Sequence, residues 1–288
     1  MLKRRIVATL VVKDGIVVQS IGFKRYLPVG QPAIAVEFLN QWGIDEIILL
    51  DISASRNGRA PDFAMVRSAA SLCRVPLTVG GGITRIEHIT ELMHCGADKV
   101  SINQAALFNP ELLTDAAHQF GDQCIVASID GLLTDKGYRV YNYLQSKVLD
   151  RTPAEQAVQL QQFGTGEILI NSVDRDGSYL GFDLDLIDSV CSVVTVPVIC
   201  SGGAGDAQHF IEVFKHTHAS AASAANFFHF SEHSVTTVKA QVSHNCPVRH
   251  ETWFNYLGTR FDDHGRLLKK EDRELEEMLF LRIEKDVI

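Results

Sequence analysis

Two glycine-rich turns carry the first chemistry visible in this sequence. In Pro197-Val-Ile-Cys-Ser-Gly-Gly-Ala-Gly205 an apolar run breaks into glycines and a helical pattern follows. Gly202, Gly203 and Gly205 let backbone N–H groups approach an anion with no Cβ in the way, and the next helix offers its positive end. Pro76-Leu-Thr-Val-Gly-Gly-Gly-Ile83 repeats the device. With Pro76 set on Pro197, Gly81 and Gly82 fall on Gly202 and Gly203, His88 on His209, and Glu91 on Glu212. A single turn of this kind also serves as a plain connection. A matched pair points to a ligand with an anionic group at each end.

The repeat extends beyond the turns. Ile6-Val-Ala-Thr-Leu-Val11 lies over Ile125-Val-Ala-Ser-Ile-Asp130, and Trp42-Gly-Ile-Asp-Glu-Ile-Ile-Leu49 over Phe163-Gly-Thr-Gly-Glu-Ile-Leu-Ile170. The unit is about half a domain, and a repeat decides the fold before any local reading does. The elements that position the turns follow from apolar runs without strict alternation, as expected of parallel strands covered by helices. These are Arg5–Val11, Glu46–Ile52, Leu77–Val79, Lys99–Ile102, Cys124–Asp130, Glu167–Ser172, Val198–Cys200 and Ala221–Ala225. Helical patterns separate them, at Ala33–Trp42, Asp62–Leu72, Ile86–Cys95, Pro110–Phe120, Pro153–Phe163, Leu184–Val190 and Ala207–His216, with His233–Val242 last. Eight such units make an α/β fold of the (βα)8 TIM barrel type with duplicated half-barrels. An open doubly wound sheet would have fewer strands and a GxGxxG after the first. We place the barrel in residues 1–246 and a helical extension in 247–288.

Bulk properties narrow the function. The 288 residues are 46% hydrophobic, enough for a substantial core. A net charge of −8 argues against nucleic acid as a partner. No stretch has the ~20 apolar residues of a membrane span and no N-terminal run has signal-peptide length, so a cytoplasmic location without a membrane partner is expected. The six cysteines form no CxxC pair and read as reduced core thiols, Cys124 and Cys200 within buried strands. His244, Cys246 and His250 are irregularly spaced with no fourth candidate nearby, so no metal site is expected.

Several ordered blocks then carry a specific resemblance: Lys13-Asp-Gly15, Leu50-Asp-Ile-Ser-Ala-Ser55, Val79-Gly-Gly-Gly-Ile83, Gly96-Ala-Asp-Lys-Val-Ser-Ile-Asn103, Asp174-Arg-Asp-Gly177 and Ser201-Gly-Gly-Ala-Gly205. From Met1 to about Arg249 the chain resembles the cyclase subunit of imidazole glycerol phosphate synthase. The resemblance implies a barrel that takes ammonia from a separate class I glutaminase as a heterodimer, with no cofactor, and inserts it into a phosphorylated substrate. It implies phosphate binding by Gly81, Gly82, Asn103, Asp176, Gly177, Gly202, Gly203 and Asn226. It implies an ammonia gate of Arg5, Glu46, Lys99 and Glu167, and a glutaminase interface at Asp98 and Gln123.

The departures matter as much. In the family two aspartates serve as general acid and base. This chain keeps Asp130 and has Val11 at the other position, where no side-chain proton can be exchanged. Asp14, Asp51 and Asp176 are the carboxylates that could substitute, Asp176 being the one we carry as a possible catalytic group. Gln19 stands where the family uses a lysine, and Asn226 where it uses a serine. With Gly22-Phe-Lys-Arg-Tyr26 and Asn57-Gly-Arg-Ala-Pro-Asp-Phe63, the chain is most similar to a branch linked to surface-polysaccharide or nonulosonate sugars, in which ammonia serves to convert an acetamido to an acetamidino group.

Three functions satisfy these residues: a subunit channelling ammonia for sugar amidination on a phosphorylated or nucleotide-linked substrate, a working histidine-pathway cyclase with a substitute acid, or a scaffold that activates its glutaminase. Bond formation in this barrel and in a further ligase fed by it both remain open. Lys13-Asp14 reads equally as a catalytic pair or a turn. Leu275, Met278, Leu279 and Leu281 in the helical pattern Glu271–Lys285, with Trp253, Phe254 and Tyr256, suggest packing on the barrel or on a partner.

Overall fold

The structure is a computed structural model that describes residues 3–230, 233–249, 260–262, 267, 268 and 271. Eight parallel strands close on themselves: β1 (Arg5–Lys13), β2 (Glu46–Asp51), β3 (Leu77–Gly80), β4 (Lys99–Ile102), β5 (Ile125–Thr134), β6 (Glu167–Ser172), β7 (Val198–Ser201) and β8 (Ala221–Ala224). Each pairs with its sequence neighbours, and β8 returns to β1 with Arg5 level with Ala221. The (βα)8 barrel expected from the repeat is the fold. Because β1 and β5 are four strands apart in a ring of eight, the two half-barrels face each other across its axis.

Alternation along each strand sorts residues between two apolar layers. Val7, Ile48, Val126, Leu169, Ile199 and Ala221 fill the barrel interior, while a larger cluster packs the strands against the surrounding helices. The helices start where side chains satisfy their first N–H groups. Asp62 caps Phe63–Leu72, Asp183 caps Leu184–Cys191 and Asp206 caps Ala207–His216, while Thr152 and Glu155 form a reciprocal capping box on Pro153–Gln162. Helix Ser234–Ser243, the last among the described residues, is pinned to the barrel floor by Lys239, which is fully buried with Asp45 and also donates to the Gly43 carbonyl at 2.7 Å. Asp45 in turn accepts from the Ile6 amide at 2.8 Å.

Two local expectations change and one open reading is decided. β1 and β5 run past Val11 and Asp130, because each leaves the barrel and pairs antiparallel with an added hairpin strand, Ile16–Ile21 and Gly137–Asn142 respectively. Of the two readings of Lys13-Asp14 the turn is the one found: Lys13 ends β1, and Asp14 and Gly15 have φ of 51° and 80°, as the central pair of a type I′ hairpin does. Cys124 lies in a short 3-10 turn ahead of β5 and is only partly buried, whereas Cys200 is fully buried in β7. All six cysteines are free thiols. Among the described residues no helix is long and apolar enough to cross a membrane, and no cluster of three metal-ligating side chains occurs. Trp253, Phe254, Tyr256, His250 and the pattern after Glu271 lie outside the described residues. The chain runs out of the barrel at Val248, which bridges to Arg4 beside the start of β1.

Candidate active site and the charged ring beneath it

At the C-terminal ends of the strands, where barrels of this type hold their sites, a cavity of about 410 Å³ opens. Thr9, Ser101, Ser128, Asn171 and Ser201 form its polar floor; Tyr26, Tyr141 and Tyr143 from the two hairpins form its walls, with Lys24 and Arg56 near them. Asp130 and Val11 both line it, from opposite sides of the ring.

Asp130 is 4% exposed. Its two carboxylate oxygens each accept one side-chain amide, from Asn171 at 3.0 Å and from Asn103 at 3.0 Å. Burial nevertheless pushes the carboxyl up to about 6, with the two amides opposing the rise. A carboxyl of that strength can take and return a proton near neutrality.

Asp51 and Asp176, the other carboxylates lining the cavity, are engaged in holding loops. Asp51 accepts from the Ser53 and Ala54 amides and the Ser53 hydroxyl, and so caps Ile52–Arg56. Asp176 accepts from the Ser20 hydroxyl at 2.7 Å and the Phe23 amide at 3.0 Å; burial raises its pKa and these bonds oppose the rise. Asp14 lies in the hairpin turn, its amide donating to Ser53 Oγ at 3.0 Å, and does not line the cavity.

The glycine turns differ in access. Gly81 and Gly82 line the cavity with Asn103 and Gln104 beside them, and the Gly82 amide donates to Ser55 Oγ at 3.1 Å. Both glycines have positive φ, 111° and 72°, and a Cβ on Gly81 would meet the Asp51 carbonyl. Gly177, Gly202, Gly203 and Asn226 do not line the cavity. The side-chain amide of Asn226 is used at both ends on the Ser20 backbone, accepting at 3.1 Å and donating at 2.6 Å. The two turns share a further feature: His88 and His209 reach back from their helices, His88 Nδ1 to the Gly82 carbonyl at 3.1 Å and His209 Nδ1 accepting from the Gly205 amide at 3.0 Å.

At the other end of the barrel Arg5, Glu46, Lys99 and Glu167 form a closed square of ion pairs. Arg5 bonds Glu46 at 2.5 Å and also Glu167; Lys99 bonds Glu46 at 3.0 Å and Glu167 at 2.7 Å. The glutamate side chains are 1% and 5% exposed. Neither carboxylate would be tolerated there alone, since an unpaired buried charge costs several kcal/mol (about 3–5). Asp98 and Gln123, both exposed, immediately precede β4 and the start of β5 on this same face; Asp98 also accepts from the Leu77 amide at 2.8 Å.

Asn171 and the tyrosine wall were not anticipated. Asn171 had a readable signal: in the repeat it overlies Leu50, so a polar residue replaces an apolar one at a strand end that faces the site. Tyr141 and Tyr143 had none, because no second hairpin is assigned from the sequence, and Tyr26 stood out only as part of the Gly22–Tyr26 block.

A family model described as histidine biosynthesis protein matches residues 5–234. The chain is 45% identical over 244 residues to imidazole glycerol phosphate synthase subunit HisF of Anoxybacillus flavithermus, covering 84% of this chain and 97% of that protein. It is 44% identical over 242 residues to a Vibrio vulnificus protein named as imidazole glycerol phosphate synthase subunit hisF2, covering 84% and 89%. With HisF of Streptococcus sanguinis the identity is 42% over 251 residues, covering 86% of this chain and the whole of that protein. A model matched over most of its length, and relatives this close at near-full coverage, establish that the chain belongs to the histidine biosynthesis protein family.

Proposed function

We propose that this chain is the ammonia-accepting synthase subunit of a glutamine amidotransferase, working beside a separate class I glutaminase, and that its acceptor differs from the histidine precursor. The observation that carries this reading is Val11 across the cavity from Asp130. A ring-closing reaction that needs an acid and a base has only one titratable member of the pair here. Displacement by ammonia at an acetamido carbon whose oxygen a partner ligase has already phosphorylated needs one base, to remove a proton from the attacking nitrogen while phosphate leaves as its own anion, and Asp130 meets that need. Ammonia enters past the ring of Arg5, Glu46, Lys99 and Glu167, and Asp98 with Gln123 meet the glutaminase on the same face. The names of the relatives support the subunit role, and an acetamido sugar from surface-polysaccharide or nonulosonate biosynthesis is the acceptor class that the resemblance implies.

A second reading is a working cyclase of the histidine pathway. Asp176 favours it, since it lines the same cavity with a raised pKa and could supply the missing acid. The test is to give the purified chain the histidine precursor with ammonium. Negligible turnover, together with incorporation of amide nitrogen from labelled glutamine into an acetamido sugar when the glutaminase is present, is the expected result. Robust cyclisation by the unaltered chain returns it to the histidine pathway.

A further inference from the structure

The glycine turn of the first half-barrel has space on two sides. Beside the cavity that holds Asp130 lies a second one of about 370 Å³, between the loop after β2, the turn itself and Leu144, which follows the strand Gly137–Asn142. Ser55, Gly82, Ile83 and Gln104 line both, so the inner and the outer cavity meet over Gly82. The outer one has the size of a small-ligand pocket. Ala60, Ile83 and Leu144 give it an apolar side.

Cations stand on both sides of this turn. Arg56, the last residue of the short helix that Asp51 caps, lines the inner cavity, while Arg59 and Arg85 line the outer one. Among the described residues no carboxylate lines the outer cavity. Arg59 is oriented by Asp51 Oδ2 at 3.7 Å and Ser53 Oγ at 3.3 Å. Arg85 pairs with Glu87 through Nε at 3.6 Å, with the two side chains 66% and 71% exposed. Such a pair is worth little in water, and it leaves the terminal guanidinium nitrogens of Arg85 without a partner among the described residues. Their fork of N–H groups suits phosphoryl oxygens.

We infer that the ligand carries a diphosphate across this turn, one phosphoryl beside Gly81, Gly82 and Arg56 and the next at Arg59 and Arg85, with a nucleoside beyond it in the outer cavity. The acceptor is then a sugar linked through a diphosphate to a nucleoside, its sugar lying in the inner cavity toward Asp130. A diphosphate diester keeps one negative charge on each phosphoryl at neutral pH, so the cations on each side of Gly82 meet one. A sugar monophosphate would leave the Arg59 and Arg85 side without a counter-charge. The inference narrows the acceptor proposed above and rests on that reading for the role of the cavity. Failure of that reading appears in nitrogen incorporation, which a binding measurement does not touch.

The test is calorimetric titration of the full chain with inorganic phosphate, pyrophosphate, UDP and ADP. Pyrophosphate and at least one of the two nucleotides should bind about tenfold or more tighter than phosphate, because the second phosphoryl gains charge-assisted hydrogen bonds. Arg85→Gln alters an exposed side chain and should cost pyrophosphate and that nucleotide about tenfold, while phosphate, seated on the inner side, stays within about twofold. Ala60→Phe narrows the apolar side of the outer cavity and should weaken the nucleotide while sparing pyrophosphate. Equal affinities for phosphate and pyrophosphate in the unaltered chain overturn the inference. So does an Arg85→Gln loss that is absent, or that is as large for phosphate as for pyrophosphate, since the arginine would then act only as a distant charge. If Ala60→Phe leaves nucleotide binding unchanged, the outer cavity does not hold the nucleoside and the ligand class is wrong.

Discussion

Asn171 donates its side-chain amide to one carboxylate oxygen of Asp130 at 3.0 Å, and thereby fills the position that Asn103, bound to the other oxygen, leaves free. An amide NH2 can only donate, so both residues favour the ionised carboxylate. Burial favours the neutral acid, and it prevails, setting the group at about 6. Replacing Asn171 by Leu removes one bond to the charged form, which is worth about 1.5 kcal/mol and hence about one pH unit. The acid limb of nitrogen transfer should move upward by that amount. A lower rate with an unmoved limb would show that Asn171 places substrate and does not tune Asp130.

The same carboxyl links stability to pH. Its folded pKa of about 6 lies above the ordinary 3.8, so the native state holds this proton more tightly than the unfolded chain does. The stabilisation is therefore complete below about 4 and is lost as pH rises through about 6. Asp130→Asn does not titrate. Relative to the unaltered chain it should gain about 3 kcal/mol of unfolding free energy between pH 4 and pH 8 while losing nitrogen transfer. Urea unfolding across that range measures the difference; a constant difference means the carboxyl is not buried as described.

In the charged square, Lys99 is shared by Glu46 and Glu167. Lys99→Met leaves both buried glutamates to Arg5 alone, at a cost of about 3 kcal/mol in stability. If the square controls the passage of ammonia, glutamine hydrolysis in the complex should persist while less of the nitrogen reaches the acceptor. The ratio of glutamate released to nitrogen incorporated reads this directly. An unchanged ratio means that ammonia arrives by another route.

Asp98 is exposed beside that square yet also holds the Leu77 amide. Charge reversal by Asp98→Lys should abolish co-purification with a class I glutaminase, but it removes the internal bond as well. Asp98→Asn keeps an acceptor for Leu77 and loses only the charge. It should weaken binding by about tenfold, as truncating one member of an interfacial charge pair does. Full retention of binding by both variants would place the interface elsewhere.

Much of this architecture was readable because most barrel strands are short apolar runs ending in glycine or a polar residue, and because the halves repeat. Asp130 and Val11 were comparable from the sequence for the same reason. The hairpins were harder. Ile16–Ile21 and Gly137–Asn142 mix apolar and polar residues as half-exposed strands do, although Asp14-Gly15 carried a hairpin signal. The fastening of Ser20 to Asn226 was beyond reach, since it joins residues 206 apart through a backbone-to-side-chain pair that no periodicity encodes. Asn226 thus reads from sequence as a phosphate ligand and in the structure as an anchor for a loop.

Val11→Asp addresses the acceptor itself. It would place a carboxyl across the cavity from Asp130, on a strand whose Thr9 lines the same space, as does Leu50, level with Val11 on β2. A positioned general acid or base contributes about 10²–10⁴-fold. Given the histidine precursor and ammonium, the variant should therefore turn over faster than the unaltered chain, by less than that range while Gln19 and Asn226 stand where the family uses a lysine and a serine. Combining Val11→Asp with Gln19→Lys and Asn226→Ser should raise the rate further, and the gain should appear chiefly in KM, because the added pair acts on binding. If the triple variant is no faster than the unaltered chain, the missing carboxylate is not what separates this barrel from a cyclase.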